Sequence, residues 1–87
     1  MNQLYVFNTY KDSLHFQVTN KQDDVVIVSL EEGAGRIKNT KGAAFDLIVF
    51  EKSNVENVDI VTYINLTEKF IKELKYYGLT HQETLFV

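Results

Sequence analysis

The segment spanning residues 33–42 has the residue types best suited to binding chemistry. Its cations Arg36, Lys38 and Lys41 lie close together on a stretch that also contains Gly33, Gly35 and Gly42. Glycine allows backbone angles that other residues avoid, so such a loop can present amide groups and cations together. That combination would suit a phosphate, a nucleic-acid backbone or an acidic protein surface. The alternative is a flexible hairpin loop kept soluble by its lysines, because the spacing matches neither GxxxxGK[ST] nor GxGxxG.

Histidine and serine are the next residue types to consider for chemistry. His15 and His81 are isolated, and the chain has no cysteine to complete a zinc or copper site with them. The serines stand outside any nucleophile-elbow pattern. We therefore assign no catalytic residue, no metal ligand and no cofactor, and we favour a non-enzymatic role.

Two carboxylate pairs, Asp23-Asp24 and Glu31-Glu32, flank one apolar run. Converging carboxylates can carry out acid–base chemistry or bind a hard cation. At the ends of a strand, however, solvated charges also prevent unwanted pairing between strand edges. We favour this structural interpretation for both pairs.

Aromatic residues are numerous for so short a chain, with six phenylalanines and five tyrosines. Most of them must lie in the core. Tyr76 falls outside the apolar stripe of the helix described below, and exposed tyrosine beside charged residues is typical of protein interfaces. We therefore expect Arg36, Lys38, Lys41 and Tyr76 to contact a protein partner. A homodimer formed through sheet faces or edges would also cover the surplus aromatic surface.

A second interpretation starts from the glycines. If residues 43–50 are helical, Gly42-Ala43-Ala44 at a strand-to-helix junction resembles the coenzyme A pyrophosphate loop of GNAT-type acetyltransferases. Members of that family also have a later helix that ends in Gly-Phe, to which Gly78-Leu79 would correspond. The resemblance implies a reduced domain that binds acetyl-coenzyme A.

The elements that would position these residues include one amphipathic helix, predicted over residues 65–79. Asn65 or Thr67 can cap its start, and Gly78 can take the left-handed conformation that ends it, so that Leu79 packs on Leu74. Large apolar residues recur there at spacings of three and four, which places them on one face: Leu66, Phe70, Ile71, Leu74 and Tyr77.

The remaining segments alternate between apolar and polar residues or are continuously apolar, which predicts β-strands. The run 25–30 is apolar on both faces and is expected to be the central strand. Residues 20–24 form a turn with the length of a hairpin. Residues 43–50 are compatible with a strand or a helix, and their Phe, Ile and Val favour the strand. The other predicted strands are residues 4–7, 14–19, 58–64 and 83–87.

This order of elements predicts a single α+β domain over residues 1–87, with a mainly antiparallel sheet of four to six strands covered on one face by the C-terminal helix. A net charge of −3 is the wrong sign for a general nucleic-acid binder. The chain lacks a membrane-spanning run and a signal peptide, so a cytoplasmic location is expected. We predict a small protein-binding module, of the kind that phages and mobile elements use to inhibit a host protein.

Overall fold

The computed structural model describes residues 2–20, 23–38, 44–52 and 59–87, and the statements below concern those residues. Two α-helices and a short 3₁₀ helix alternate with four strands. The strands are β1 (Gln3–Phe7), β2 (Val25–Ser29), β3 (Ala44–Glu51) and β4 (Thr80–Phe86). The helices are α1 (Tyr10–Thr19) and α2 (Ile60–Tyr76), and the 3₁₀ helix spans Ala34–Ile37.

The four strands form one sheet in the order β2-β1-β3-β4, and every neighbouring pair is parallel. Parallel neighbours cannot be joined by a tight hairpin, so each connection must cross over a face of the sheet. Helix α1 makes the crossover from β1 to β2, and α2 makes the one from β3 to β4. The first strand of the chain therefore lies in the interior of the sheet, between β2 and β3.

The two α-helices lie on opposite faces of this sheet. Side chains of a strand point alternately to its two faces. Tyr5 and Phe7 of β1 contact Phe16 of α1, with ring centroids 5.2 and 5.0 Å apart. Leu4 and Val6 point the other way, into the core that α2 covers. The members of that core are Leu4, Val6, Val28, Ala34, Ile37, Phe45, Ile48, Phe50, Tyr63, Phe70, Leu74 and Leu79.

Helix α2 is fixed at both ends by local hydrogen bonds. At its start the Asp59 carboxylate accepts from the backbone N–H of Thr62, which satisfies a free amide of the first turn. At its end Gly78 has φ +74°, and the N–H of Leu79 donates to the carbonyl of Leu74 at 2.9 Å. This is the predicted glycine termination, and it is confirmed.

The predicted start and stripe of this helix need correction. The helix begins at Ile60, so the strand predicted over residues 58–64 is wrong for the part that the structure describes. The buried positions are Tyr63, Thr67, Phe70 and Leu74. Leu66, which we predicted to be buried, is 41% exposed. The contact face is centred on Tyr63, Thr67, Phe70 and Leu74, so Leu66 lies at its margin. Asp59, and not Asn65 or Thr67, caps the helix.

Helix α1 also replaces a predicted strand, over residues 14–19. Thr9 caps it by accepting from the N–H of Asp12, and Ser13 and Phe16 turn toward the sheet. The alternation of Leu14, Phe16 and Val18 therefore does not reflect a strand with one buried face. Leu14 and Val18 are exposed on the helix surface.

The predicted mainly antiparallel sheet with a single helix is wrong, since all pairs are parallel and two α-helices cover opposite faces. A sheet of four strands agrees with the predicted range. Residues 25–29 form a strand, but it lies at an edge of the sheet instead of its centre. The predicted hairpin between two strands is wrong, because α1 and not a strand precedes β2. Residues 21–22 of the predicted turn lie outside the described residues. The strand interpretation of residues 44–50 is confirmed by β3.

Candidate functional site

The structure brings two of the predicted partner-binding residues onto one surface. The ammonium nitrogen of Lys38 lies 6.0 Å from the centroid of the Tyr77 ring. Tyr76 packs edge-on against the same ring, with centroids 5.1 Å apart and an angle of 78° between the planes. Tyr76 is 84% exposed, so the core does not account for its position. We call Lys38, Tyr76 and Tyr77 together the Tyr–Lys surface.

The other two predicted contact residues contribute differently. Arg36 lies in the 3₁₀ helix, and its Nε is 3.4 Å from Oε1 of Glu32. Both charges are accessible to solvent, so this ion pair contributes little to stability, but it partly neutralises Arg36. Lys41 lies outside the described residues. The structure therefore places Lys38 and Tyr76 against the same ring, that of Tyr77. Arg36 lies nearby, in the 3₁₀ helix that ends directly before Lys38.

The Tyr–Lys surface is held by contacts between the 3₁₀ helix and α2. The backbone N–H of Ala34 donates to Oε2 of Glu73 at 3.2 Å. A methyl group placed on Gly35 would be 3.5 Å from the Tyr77 hydroxyl, so backbone and ring are in close proximity. Ala34 and Ile37 are buried in the core beneath. The surface therefore lies on a packed support instead of a free loop.

Sequence reasoning placed Tyr77 on the buried stripe and so missed its part in this surface. Tyr77 is 37% exposed and is the C-cap residue of α2. The available signal was Gly78, since a residue directly before a helix-ending glycine lies where the apolar stripe leaves the core. Combining that signal with the cations of the preceding loop would have identified the ring that Lys38 contacts.

The glutamate pair serves the fold. Oε2 of Glu31 accepts from the backbone N–H of Tyr10 at 2.9 Å, at the start of α1. Oε2 of Glu32 accepts from both the backbone N–H and the hydroxyl of Ser29, each at 2.9 Å, and Ser29 is fully buried. The other pair, Asp23-Asp24, is exposed in the turn before β2.

The carboxyl-terminal edge of the sheet is where ligands bind in many parallel sheets, between strands whose crossovers leave in opposite directions. Here those strands are β1 and β3. The N-termini of helices at such an edge attract anions. At the N-terminus of α1, the Glu31 carboxylate accepts from the N–H of Tyr10. At the N-terminus of α2, the Asp59 carboxylate accepts from the N–H and the hydroxyl of Thr62. Because the chain's own carboxylates accept these amide hydrogen bonds, the described helix N-termini are unsuited to a pyrophosphate.

Two polar side chains at this edge are buried without a hydrogen-bond partner among the described residues. They are the carboxamide of Asn8, directly after β1, and the hydroxyl of Tyr63, in the first part of α2. Burial raises the pKa of Tyr63 above its usual value of 10.0, and the negative charge of Glu51 adds to that shift. A buried hydroxyl without a partner costs stability, since it leaves water without replacing the hydrogen bond.

Replacing Tyr63 with phenylalanine is therefore expected to raise the free energy of unfolding by about 1 kcal/mol, because it removes an unpaired buried hydroxyl. It should also change the response to alkali. Since the folded pKa of Tyr63 is raised, its ionisation destabilises the fold as pH increases above 10.0 toward the folded value. Urea melts at neutral pH and above pH 10.0 measure both effects. Equal or lower stability of Tyr63→Phe at neutral pH would mean that the hydroxyl is hydrogen-bonded in solution.

Two other kinds of candidate site are a metal site and a surface depression. Among the described residues, no group of three or more His, Asp or Glu side chains is placed to hold a metal ion. A surface depression of about 400 Å³ is lined by Asp46, Leu47, Gln82 and Glu83. Of the described residues that line it, two are carboxylates and none is a cation, which makes them unsuited to an anionic ligand.

Within the described part of the chain, no helix has the length and apolar character needed to cross a membrane. Comparisons with models of protein families, with curated proteins and with solved structures find no significant match.

Proposed function

We propose that this chain is a small non-enzymatic module that binds a protein partner through the Tyr–Lys surface. The observation that supports this most is the arrangement of Tyr76, which is 84% exposed and lies edge-on against Tyr77. Tyrosine is among the residue types that dominate binding energy at interfaces.

The charge of the surface indicates the chemistry of the partner. The whole chain carries a net charge of −3, whereas Lys38 places a cation 6.0 Å from the centroid of the Tyr77 ring. An acidic protein surface with an apolar recess would complement both features, since charge complementarity increases the association rate and excludes wrong partners. Nucleic acid is less well matched to this surface. Arg36 is already paired with Glu32, which leaves Lys38 as the other cation among residues 34–38.

We extend the proposal to a cytoplasmic inhibitor of the phage or mobile-element kind, which would act by covering a surface of a host protein. Its support is the small size of the chain, 87 residues, together with the use of the glutamates and Asp59 for folding instead of chemistry. The acetyl-coenzyme A alternative required a helix over residues 43–50. Residues 44–51 are a strand, so we do not carry that alternative forward.

The test compares variants of the Tyr–Lys surface with a matched variant elsewhere. Tyr76→Ala and Lys38→Ala should each weaken partner binding at least about tenfold, since truncation of a dominant interface residue costs more than about 1.4 kcal/mol. Tyr10→Ala is the control, because Tyr10 is also an exposed tyrosine but lies on α1. Proteins cross-linked to wild type and to Tyr10→Ala, but not to Tyr76→Ala, would be identified by mass spectrometry.

A purified candidate is then titrated calorimetrically against all four proteins. All variants should melt close to wild type, since surface substitutions usually change stability by about 0.5 kcal/mol or less. If Tyr76→Ala binds the partner as tightly as wild type does, the Tyr–Lys surface is not the contact. If affinity falls steeply with added salt and the ligand is nucleic acid, the proposal of a protein partner is wrong.

A further inference from the structure

The outer edge of β4 is the feature that carries a further inference. Among the described strands, β4 has a neighbour on one side only, β3. Natural proteins protect such edges with lysine, proline or a short strand. Strand β2, at the other edge, has five residues and follows two aspartates. Strand β4 has seven residues, none of which is lysine, arginine or proline. Within the described ranges, its edge is therefore open to pairing with another strand.

The hydrogen bonds of the last residue show which backbone groups face this edge. The N–H of Val87 donates to the carbonyl of Phe50 at 3.0 Å, and the carbonyl of Val87 accepts from the N–H of Lys52 at 2.8 Å. Val87 thus directs both groups toward β3. Along a strand, the backbone N–H and C=O groups of successive residues point alternately to its two sides. Since the register with β3 is constant over β4, every second residue counted back from Phe86 directs these groups toward the open edge. These residues are Thr80, Gln82, Thr84 and Phe86.

We propose that a second copy of the chain pairs with this edge, β4 against β4, antiparallel about a twofold axis at Gln82. In that register Gln82 lies opposite its own copy, and about six backbone hydrogen bonds form. His81 of each copy lies opposite Glu83 of the other, in the positions where side chains of antiparallel strands are closest. Thr80 lies opposite Thr84. The two sheets become one continuous sheet.

Charge selects both the occupant and the register. Glu83 is the sole carboxylate of β4 and His81 its sole basic side chain. A twofold axis at Glu83 would place two carboxylates opposite each other, and one at Thr84 would place Glu83 opposite Leu85. Only the axis at Gln82 among these three pairs each carboxylate with an imidazole. A self-complementary surface of this kind fits a twofold dimer.

The experiment measures the mass of the full chain by sedimentation equilibrium over the micromolar range. Wild type should approach twice the chain mass of 10.1 kDa. Gln82→Pro removes an N–H that faces the open edge and leaves the bonds to β3 in place, so dimerisation should weaken about tenfold to a hundredfold. His81→Glu should weaken it through carboxylate repulsion, and adding Glu83→Lys to His81→Glu should restore it.

Amide hydrogen exchange identifies the interface independently of these variants. In the proposed dimer the amides of Gln82 and Thr84 are protected, and they exchange rapidly in a monomer, whereas those of Glu83 and Leu85 are protected by β3 in both. A monomeric wild type, a dimer with unprotected Gln82 and Thr84, or a double variant that dimerises no better than His81→Glu would each overturn the proposal. This outcome is independent of the Tyr–Lys surface.

Discussion

Replacing Leu74 with aspartate is expected to unfold the domain. Leu74 is 1% exposed and lies in the core between α2 and the sheet. Its loss removes the transfer energy of a buried leucine and leaves a cavity, and the new carboxylate is buried without a partner. The combined cost exceeds about 5 kcal/mol, which is comparable to the whole stability of a small domain.

The matched control for this prediction is Leu66→Asp, on the same helix. Leu66 belongs to the apolar stripe predicted from the sequence, but it is exposed in the structure. Its substitution should cost about 1 kcal/mol or less, mostly through helix propensity. Circular-dichroism melts of the two variants and wild type provide the comparison. If Leu66→Asp unfolds and Leu74→Asp does not, the orientation of α2 is wrong.

Replacing Gly33 with alanine is expected to have the second largest effect. Gly33 has φ +77° and ψ 176°, a combination of backbone angles that residues other than glycine almost never adopt. A Cβ there would also lie 3.1 Å from Oε2 of Glu73, the atom that accepts from the N–H of Ala34. Strain and the disturbed hydrogen bond together should lower the free energy of unfolding by about 3 kcal/mol.

Gly78→Ala provides a comparison at a positive-φ glycine without a steric contact. Gly78 also has positive φ, +74°, but a Cβ there meets nothing within 4 Å. It should therefore cost about 1 kcal/mol, from the left-handed conformation alone. Urea denaturation of both variants measures the difference. A loss at Gly33 no larger than the loss at Gly78 would contradict the larger effect predicted for Gly33.

Two local signals in the sequence predicted the structure correctly. Gly78 ends α2 as predicted, and the β-branched and aromatic residues of 44–50 form a strand. The type of the segment 14–19 could not be decided by alternation, because six residues fit both a strand and a short helix. The capping interaction of Thr9 with Asp12 favours the helix, and tertiary packing of Phe16 then completes it.

The error in topology followed from this assignment and from the strand predicted over residues 58–64, which is helical from Ile60. With residues 14–19 taken as a strand, the short segment to residue 25 predicted a hairpin and thus an antiparallel sheet. With the same residues helical, β1 and β2 must be parallel. The Tyr–Lys surface shows a similar limit. Lys38 and Tyr76 were each predicted from residues near them in the sequence. Their common position beside Tyr77 depends on a long-range contact, the hydrogen bond from the N–H of Ala34 to Glu73.

The interior position of β1 has a consequence for the order of events during synthesis. In the sheet, Gln3 lies opposite Val25 on one side and Leu47 on the other. A ribosome must therefore produce more than half of the chain before the first strand gains its second neighbour. Pairings between residues so far apart slow folding, because a long loop closes before the contact is gained. Until then at least one edge of β1 lacks its partner strand.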